Sequence, residues 1–182
     1  EGNPANYAQR TGYVWKQVPV PVIAALHGVS FGGGLQIALG ADIRFASPDA
    51  RFSVMEIKWG LIPDMSGTQT LKDLVRLDVA KELTFTGRIV EAEEARAIGL
   101  VTGVVDADHL EAEVAEIAEQ LAAGAPLAQR FIKVALDRSA SMTFEQALAF
   151  EEQAQATLLG SDDLREGAAA FLQKRQPGFK GR

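Results

Sequence analysis

The sequence predicts an α/β protein, and two stretches carry that expectation. The run Val22-Ile23-Ala24-Ala25-Leu26 is continuously apolar with β-branched members, the pattern of a strand covered on both faces. It leads through His27-Gly28-Val29-Ser30-Phe31 into Gly32-Gly33-Gly34 and then an apolar helical stretch over residues 35–39. From Thr68 onward the apolar spacing is mostly helical, so the strands belong mainly to the first third of the chain.

The remaining elements follow in order. Residues 7–16 read as a short polar-faced helix that Val18-Pro19-Val20-Pro21 must break, because proline lacks the amide donor and disfavours helix in the residue before it. Residues 42–46 and 51–54 read as strands around a Ser47-Pro48-Asp49 turn. Helices are expected from Thr68, with Leu71, Leu74 and Val75 at helix spacing, and over 79–86 with Gly87 as C-cap. A short helix over 91–98 closes at Gly99, and 100–105 returns as a strand or extended segment. Residues 108–123 form an amphipathic helix with Leu110, Val114, Ile117 and Leu121 on one face. Helices from Pro126, over 143–158 and over 161–174 complete the chain, the last introduced by the Ser161-Asp162-Asp163 capping cluster and followed by Pro177-Gly178.

Composition narrows the chemistry. With 182 residues, 47% of them hydrophobic and 23% charged, the chain can bury a core, and one shared core is the expectation. A net charge of −6 leaves no basic stripe for nucleic acid or an anionic membrane. No apolar run approaches the ~20 residues that cross a bilayer. Glu1-Gly2-Asn3-Pro4 carries no secretory pattern, and a cytoplasmic location is expected. There is no cysteine, so disulfides, thiolate catalysis and Cys-based zinc sites are excluded, and two separate histidines, His27 and His109, make no His-rich metal site. Carboxylates, amides and backbone groups remain as the chemical tools.

The glycine triplet lies between a strand and a helix start, where unpaired N–H groups and the helix dipole favour negative charge and the missing Cβ atoms admit a ligand. It could hold a phosphate or the oxyanion of a polarised thioester, or be a tight packing turn; it lacks the lysine of a P-loop and the spacing of a dinucleotide fold. Glu56, in Val54-Met55-Glu56-Ile57-Lys58-Trp59-Gly60, is a carboxylate between apolar neighbours, either a surface residue or a proton-transfer group. Asp64 or Ser66 is placed to cap the next helix.

In this order these pieces resemble the crotonase (enoyl-CoA hydratase/isomerase) family. The resemblance runs through Pro21-Val22-Ile23-Ala24-Ala25-Leu26-His27-Gly28, Phe31-Gly32-Gly33-Gly34-Leu35-Gln36, Phe52-Ser53-Val54-Met55-Glu56 and Gly60-Leu61-Ile62-Pro63-Asp64. It continues through Gly67-Thr68-Gln69, Ala95-Arg96-Ala97-Ile98-Gly99-Leu100-Val101 and Arg165-Glu166-Gly167-Ala168-Ala169-Ala170-Phe171. It implies a crotonase-like spiral of ββα units, with residues 1–105 as the C-terminal part of the spiral core and 106–182 as a helical trimerisation region, assembling as a homotrimer or a dimer of trimers. Members of the family are usually about a third longer, and the additional part, with the first strands and a second oxyanion donor, is expected before Glu1. Losing such a donor lowers rates by ~10²–10³.

The resemblance also assigns roles. Gly33 lends its N–H to an oxyanion hole for the acyl-CoA thioester, with no permanently bound cofactor and no metal. Family hydratases carry a glutamate at the position of Gln36 and a second at Glu56, whereas an amide cannot exchange a proton near neutral pH. Lacking one acid/base partner lowers a rate by ~10²–10⁴, which ranks isomerase above hydratase chemistry here. Asp64 falls where dienoyl-CoA isomerases carry a catalytic aspartate, although those enzymes have an acid at the position of Gln36. Phe171, Lys174 and Lys180 resemble contacts to the CoA adenine and 3′-phosphate, often supplied by a neighbouring subunit; a solvated basic end is the alternative. His27 is expected to be structural, and Trp59 to pack near the acyl pocket or in the core. A non-catalytic acyl-CoA-binding or oligomer-building member, or a hydrolase or decarboxylase on the same scaffold, are the other functions weighed.

Overall fold

The computed structural model describes residues 5–182. Residues 1–4, read above for their lack of a secretory pattern, lie outside the described residues. The chain opens with α1 (Tyr7–Gln17), whose N-cap Asn6 exchanges two hydrogen bonds with Gln9: the Asn6 side chain accepts from Gln9 N and the Gln9 side chain accepts from Asn6 N. This reciprocal arrangement satisfies amides that the first turn leaves without partners.

There follow β1 (Ile23–Leu26), β2 (Val29–Phe31), α2 (Gly33–Ala38), β3 (Ile43–Ala46), β4 (Arg51–Ser53), a 3₁₀ turn (Met55–Trp59), α3 (Gly67–Leu74) and α4 (Leu77–Thr86). Then come β5 (Val90–Glu91), α5 (Ala92–Ala97), β6 (Gly103–Val104), α6 (Leu110–Ala122), α7 (Pro126–Arg138), a short 3₁₀ turn (Ser139–Ser141), α8 (Phe144–Leu159) and α9 (Asp162–Gln173). The strands make two small sheets. In one, β1, β3 and β6 run parallel in that order; in the other, β2 lies parallel to β4, and β4 antiparallel to β5.

The described chain forms two compact units. One comprises residues up to Val18 with Val22–Ala115; the other comprises Pro19–Pro21 with Glu116–Arg182. The first unit holds the main core, where Leu35, Phe52, Leu71, Leu83, Val90 and Leu100 are buried together. Fully burying such side chains contributes about 1.5–3 kcal/mol each. Arg44 crosses this interior, donating from Nε to Leu100 O and from a guanidinium nitrogen to Ala41 O, so two buried carbonyls are satisfied by one side chain.

One expectation for the strands is corrected. Residues 22–26 read as a strand covered on both faces, but Ala25 is exposed and its strand neighbours are half-buried. Among the described residues β1 is the end strand of its sheet, bonded to β3, and the face that carries Ala25 is left open. The helix stops are as read, with Gly87 in the left-handed region (φ 57°) at the end of α4.

In the second unit α7 and α8 pack through an edge-to-face contact of Phe131 with Phe150, the ring centroids 6.4 Å apart. Thr143 opens α8 with a capping box to Gln146, and Ser161 caps α9 by accepting from Leu164 N. Lys133, nearly buried, donates its ammonium to Val20 O at 3.0 Å.

Candidate active site

The site is built around Gln36 in α2, which is 2% exposed. Its Oε1 accepts two backbone amides, Met65 N at 2.8 Å and Gly67 N at 3.0 Å. Two donors facing that oxygen fix which end of the amide points where. The other end, Nε2, donates to Glu56 Oε1 at 2.5 Å. The second carboxylate oxygen, Glu56 Oε2, is buried and has no hydrogen-bond partner among the described residues. A buried acceptor left unpaired is costly in a purely structural role.

The glycine turn closes on the same carboxylate. Gly32 has φ 52°, accepts the Gln36 amide and donates to Ser53 O, and a Cβ added there would stand 3.3 Å from Glu56 Oε1. Glycine is needed at this position both for its backbone conformation and for the approach of the glutamate. Gly33 and Gly34 are the first residues of α2, and their amides donate to nothing among the described residues. The Met65 thioether sulfur would lie 2.9 Å from a Cβ at Gly33. Behind this arrangement Gly12 of α1 packs so closely that a Cβ would meet Met65 O, Ser66 Oγ and Gln36 O. Helix α1 is thereby pressed against the two segments that hold the Gln36 amide.

The sequence profile described as enoyl-CoA hydratase/isomerase matches residues 8–182. The chain belongs to the enoyl-CoA hydratase/isomerase family. Among curated members it is similar to the short-chain-enoyl-CoA hydratase of Clostridium acetobutylicum, 41% identical over 89% of this chain and 62% of that protein. It is also similar to the mitochondrial methylglutaconyl-CoA hydratase of Mus musculus, 36% identical over 90% of this chain and 54% of that protein. The chain therefore spans between about half and two-thirds of these relatives. Among solved structures, enoyl-CoA hydratase from Bacillus anthracis superposes with a TM-score of 0.93 at 38% identity, covering 96% of this chain and 68% of that one. The enoyl-CoA hydratase/isomerase of Cupriavidus metallidurans gives 0.89 at 38%, covering 96% and 67%. The fold is the crotonase-like α/β fold that the motifs implied, with a helical C-terminal region.

Of the residues singled out from the crotonase pattern, the structure brings Gln36, Glu56 and the glycine turn together. It does not tie Asp64 to them: Asp64 is exposed, and its carboxylate has no hydrogen bond or ion pair among the described residues. Ser66 occupies the N-cap position of α3, as read, but in the left-handed region (φ 68°), and its hydroxyl donates to Met65 O rather than capping the helix. Trp59 is neither in the core nor covered; it is 76% exposed and lies in an apolar surface segment with Leu61 and Ile62. Phe171, Lys174 and Lys180 are all exposed in α9 and the tail behind it. Among the described residues no cluster of His, Cys, Asp or Glu could hold a metal ion, and no helix is long and apolar enough to cross a membrane.

Met65 and Gly67 were missed by sequence reasoning. Their roles are played by backbone amides, which every residue but proline carries, so side-chain chemistry gave no signal for them.

Proposed function

We propose that this chain belongs to an acyl-CoA enzyme that stabilises a thioester enolate at the Gly33 amide and moves a proton with Glu56 alone, the arrangement of an enoyl-CoA isomerase. The observation that carries this reading is the Gln36 to Glu56 hydrogen bond. Gln36 uses its carbonyl on two backbone amides and its NH₂ on Glu56, so it holds the base and does not itself exchange a proton.

The chemistry follows from which oxygen is free. With Oε1 held by Gln36, Glu56 Oε2 takes a proton from C2 of a 3-enoyl thioester, and the electron pair moves onto the thioester oxygen as a dienolate. The Gly33 N–H, unpaired at the start of α2, supports that oxyanion. Returning the same proton to C4 gives the 2-enoyl thioester, and the carboxylate is regenerated. No water is consumed and no cofactor takes part. The CoA adenine and 3′-phosphate are assigned, by the family resemblance, to Phe171, Lys174 and Lys180 of the same or a neighbouring copy in a trimer or dimer of trimers.

A second reading is hydration of a 2-enoyl-CoA, favoured by the names of the relatives, which include a short-chain-enoyl-CoA hydratase and a methylglutaconyl-CoA hydratase. Steady-state assays of the whole protein with 3-enoyl-CoA and 2-enoyl-CoA separate the two. Isomerisation faster than hydration is expected. A Glu56→Gln variant is expected to lose ~10²–10⁴ in rate on either substrate, and undiminished turnover would remove Glu56 from the mechanism.

A further inference from the structure

The tail behind α9 is fastened by a buried carboxylate that the helix itself does not need. Lys174 takes the left-handed conformation (φ 52°) and reverses the chain, so that the tail returns along α9. Glu166 holds the near part, accepting from the Arg175 guanidinium at 2.5 and 2.8 Å and from Gly178 N at 2.7 Å. Asp163 holds the far part. It is 4% exposed, and its two oxygens accept from Lys180 N at 2.7 Å and Gly181 N at 2.8 Å. In return the amides of Asp162 and Asp163 donate to Arg182 O at 2.8 and 3.3 Å.

Capping of α9 is already done by Ser161, whose hydroxyl accepts from Leu164 N. Both oxygens of Asp163 are thus committed to the tail, and a buried carboxylate is tolerated only when paired in this way. Bonds from an N–H to an ionised carboxylate are roughly twice as strong as neutral ones. They fix the backbone on either side of the Lys180 Cα while the Lys180 side chain stays exposed. Phe179 adds a third hold, its ring lining an apolar cavity with Leu127, Leu158 and Leu164.

The geometry points to Asp163 as a positioning residue for phosphate recognition: by capturing the amides of Lys180 and Gly181 it orders, before any ligand arrives, the backbone that presents the Lys180 ammonium to the CoA 3′-phosphate. This inference rests on the assignment of Lys180 to that phosphate made above. Ordering that backbone in advance removes part of the entropy loss that binding otherwise carries.

The test compares an enoyl-CoA with the same acyl group on pantetheine, which lacks the phosphorylated adenosine, using the whole protein. Asp163→Asn is expected to raise KM for the CoA substrate about tenfold, with kcat held within about twofold and KM for the pantetheine substrate unchanged. Lys180→Ala is expected to do the same, and the double variant to go no further, since both changes remove one interaction. If Lys180→Ala leaves KM for the CoA substrate unchanged, the assignment of Lys180 fails. If Lys180→Ala raises it and Asp163→Asn does not, the positioning role alone fails. A measurement on the unaltered protein is independent of how the variants fold: the Lys180 and Gly181 amides should be protected from hydrogen exchange without ligand. Protection that arises only when CoA is added overturns the inference.

Discussion

Gln36 Nε2 lies 2.5 Å from Glu56 Oε1, while the carbonyl of the same Gln36 side chain accepts the amides of Met65 and Gly67. One side chain thus orients the candidate base and ties down the turn that precedes α3. The two duties can be separated by substitution.

Gln36→Leu keeps the approximate volume and removes both. The amides of Met65 and Gly67 lose their acceptor in a buried setting, at about 1–3 kcal/mol for each unsatisfied group. Urea denaturation should show a lower midpoint with an unchanged slope, and turnover should fall because Glu56 loses its orienting partner.

Gln36→Glu has a different expected outcome. The carboxylate still accepts from Met65 N and Gly67 N, so the fold should be retained. It replaces the N–H donor facing Glu56 with a second oxygen, which disfavours ionisation of both groups and leaves them to share a proton. Hydration of 2-enoyl-CoA should rise relative to isomerisation of 3-enoyl-CoA, read as the ratio of the two kcat/KM values. An unchanged ratio would show that residue 36 does not set the reaction type.

Gly12→Ala tests the support behind the site. A Cβ there meets Met65 O and Gln36 O, both backbone atoms that cannot swing aside. Overpacking of this kind destabilises by about 1–3 kcal/mol, and thermal denaturation should register it as a lower Tm. Activity should fall as well, although Gly12 touches no substrate in the proposed mechanism, because the displaced backbone carries Met65 and Gln36.

The Glu166 latch gives a pH dependence. The bond from the Arg175 guanidinium, and then the Gly178 amide, hold the Glu166 carboxyl well below its ordinary 4.5, down to about 2. Because the folded group titrates lower than the unfolded one, its stabilising effect is complete above about 4.5 and is lost as pH falls through about 2. Titration of the Gly178 amide resonance should follow that window, Glu166→Gln should abolish the step, and added salt should weaken the latch because the pair is partly exposed.

Much of this was legible in the sequence. Helix limits marked by Pro19, Gly87, Gly99, Pro126 and Ser161 rest on local backbone chemistry, and local chemistry can be read locally. The motifs around Gly33 and Glu56 gave the family. What escaped was tertiary or too short to be periodic. The strands β2 and β5 span three and two residues, and the 3₁₀ turn carrying Glu56 has neither a strand nor an α-helix period. From sequence, Gln36 stands out only as a side chain that cannot exchange a proton where family hydratases carry a glutamate. Its actual partners, Glu56 at a separation of 20 residues and Met65 at 29, depend on how α2, the 3₁₀ turn and the start of α3 converge.

The exposed indole of Trp59 gives the protein an optical handle. The chain has two tryptophans, and Trp15, 39% exposed, is the more shielded. Trp59 follows Glu56 within the same 3₁₀ turn and meets solvent over most of its surface. Its emission should sit at long wavelength in the free chain and shift to the blue when another molecule covers that turn, so Trp15→Phe would leave a single tryptophan, beside the proposed base.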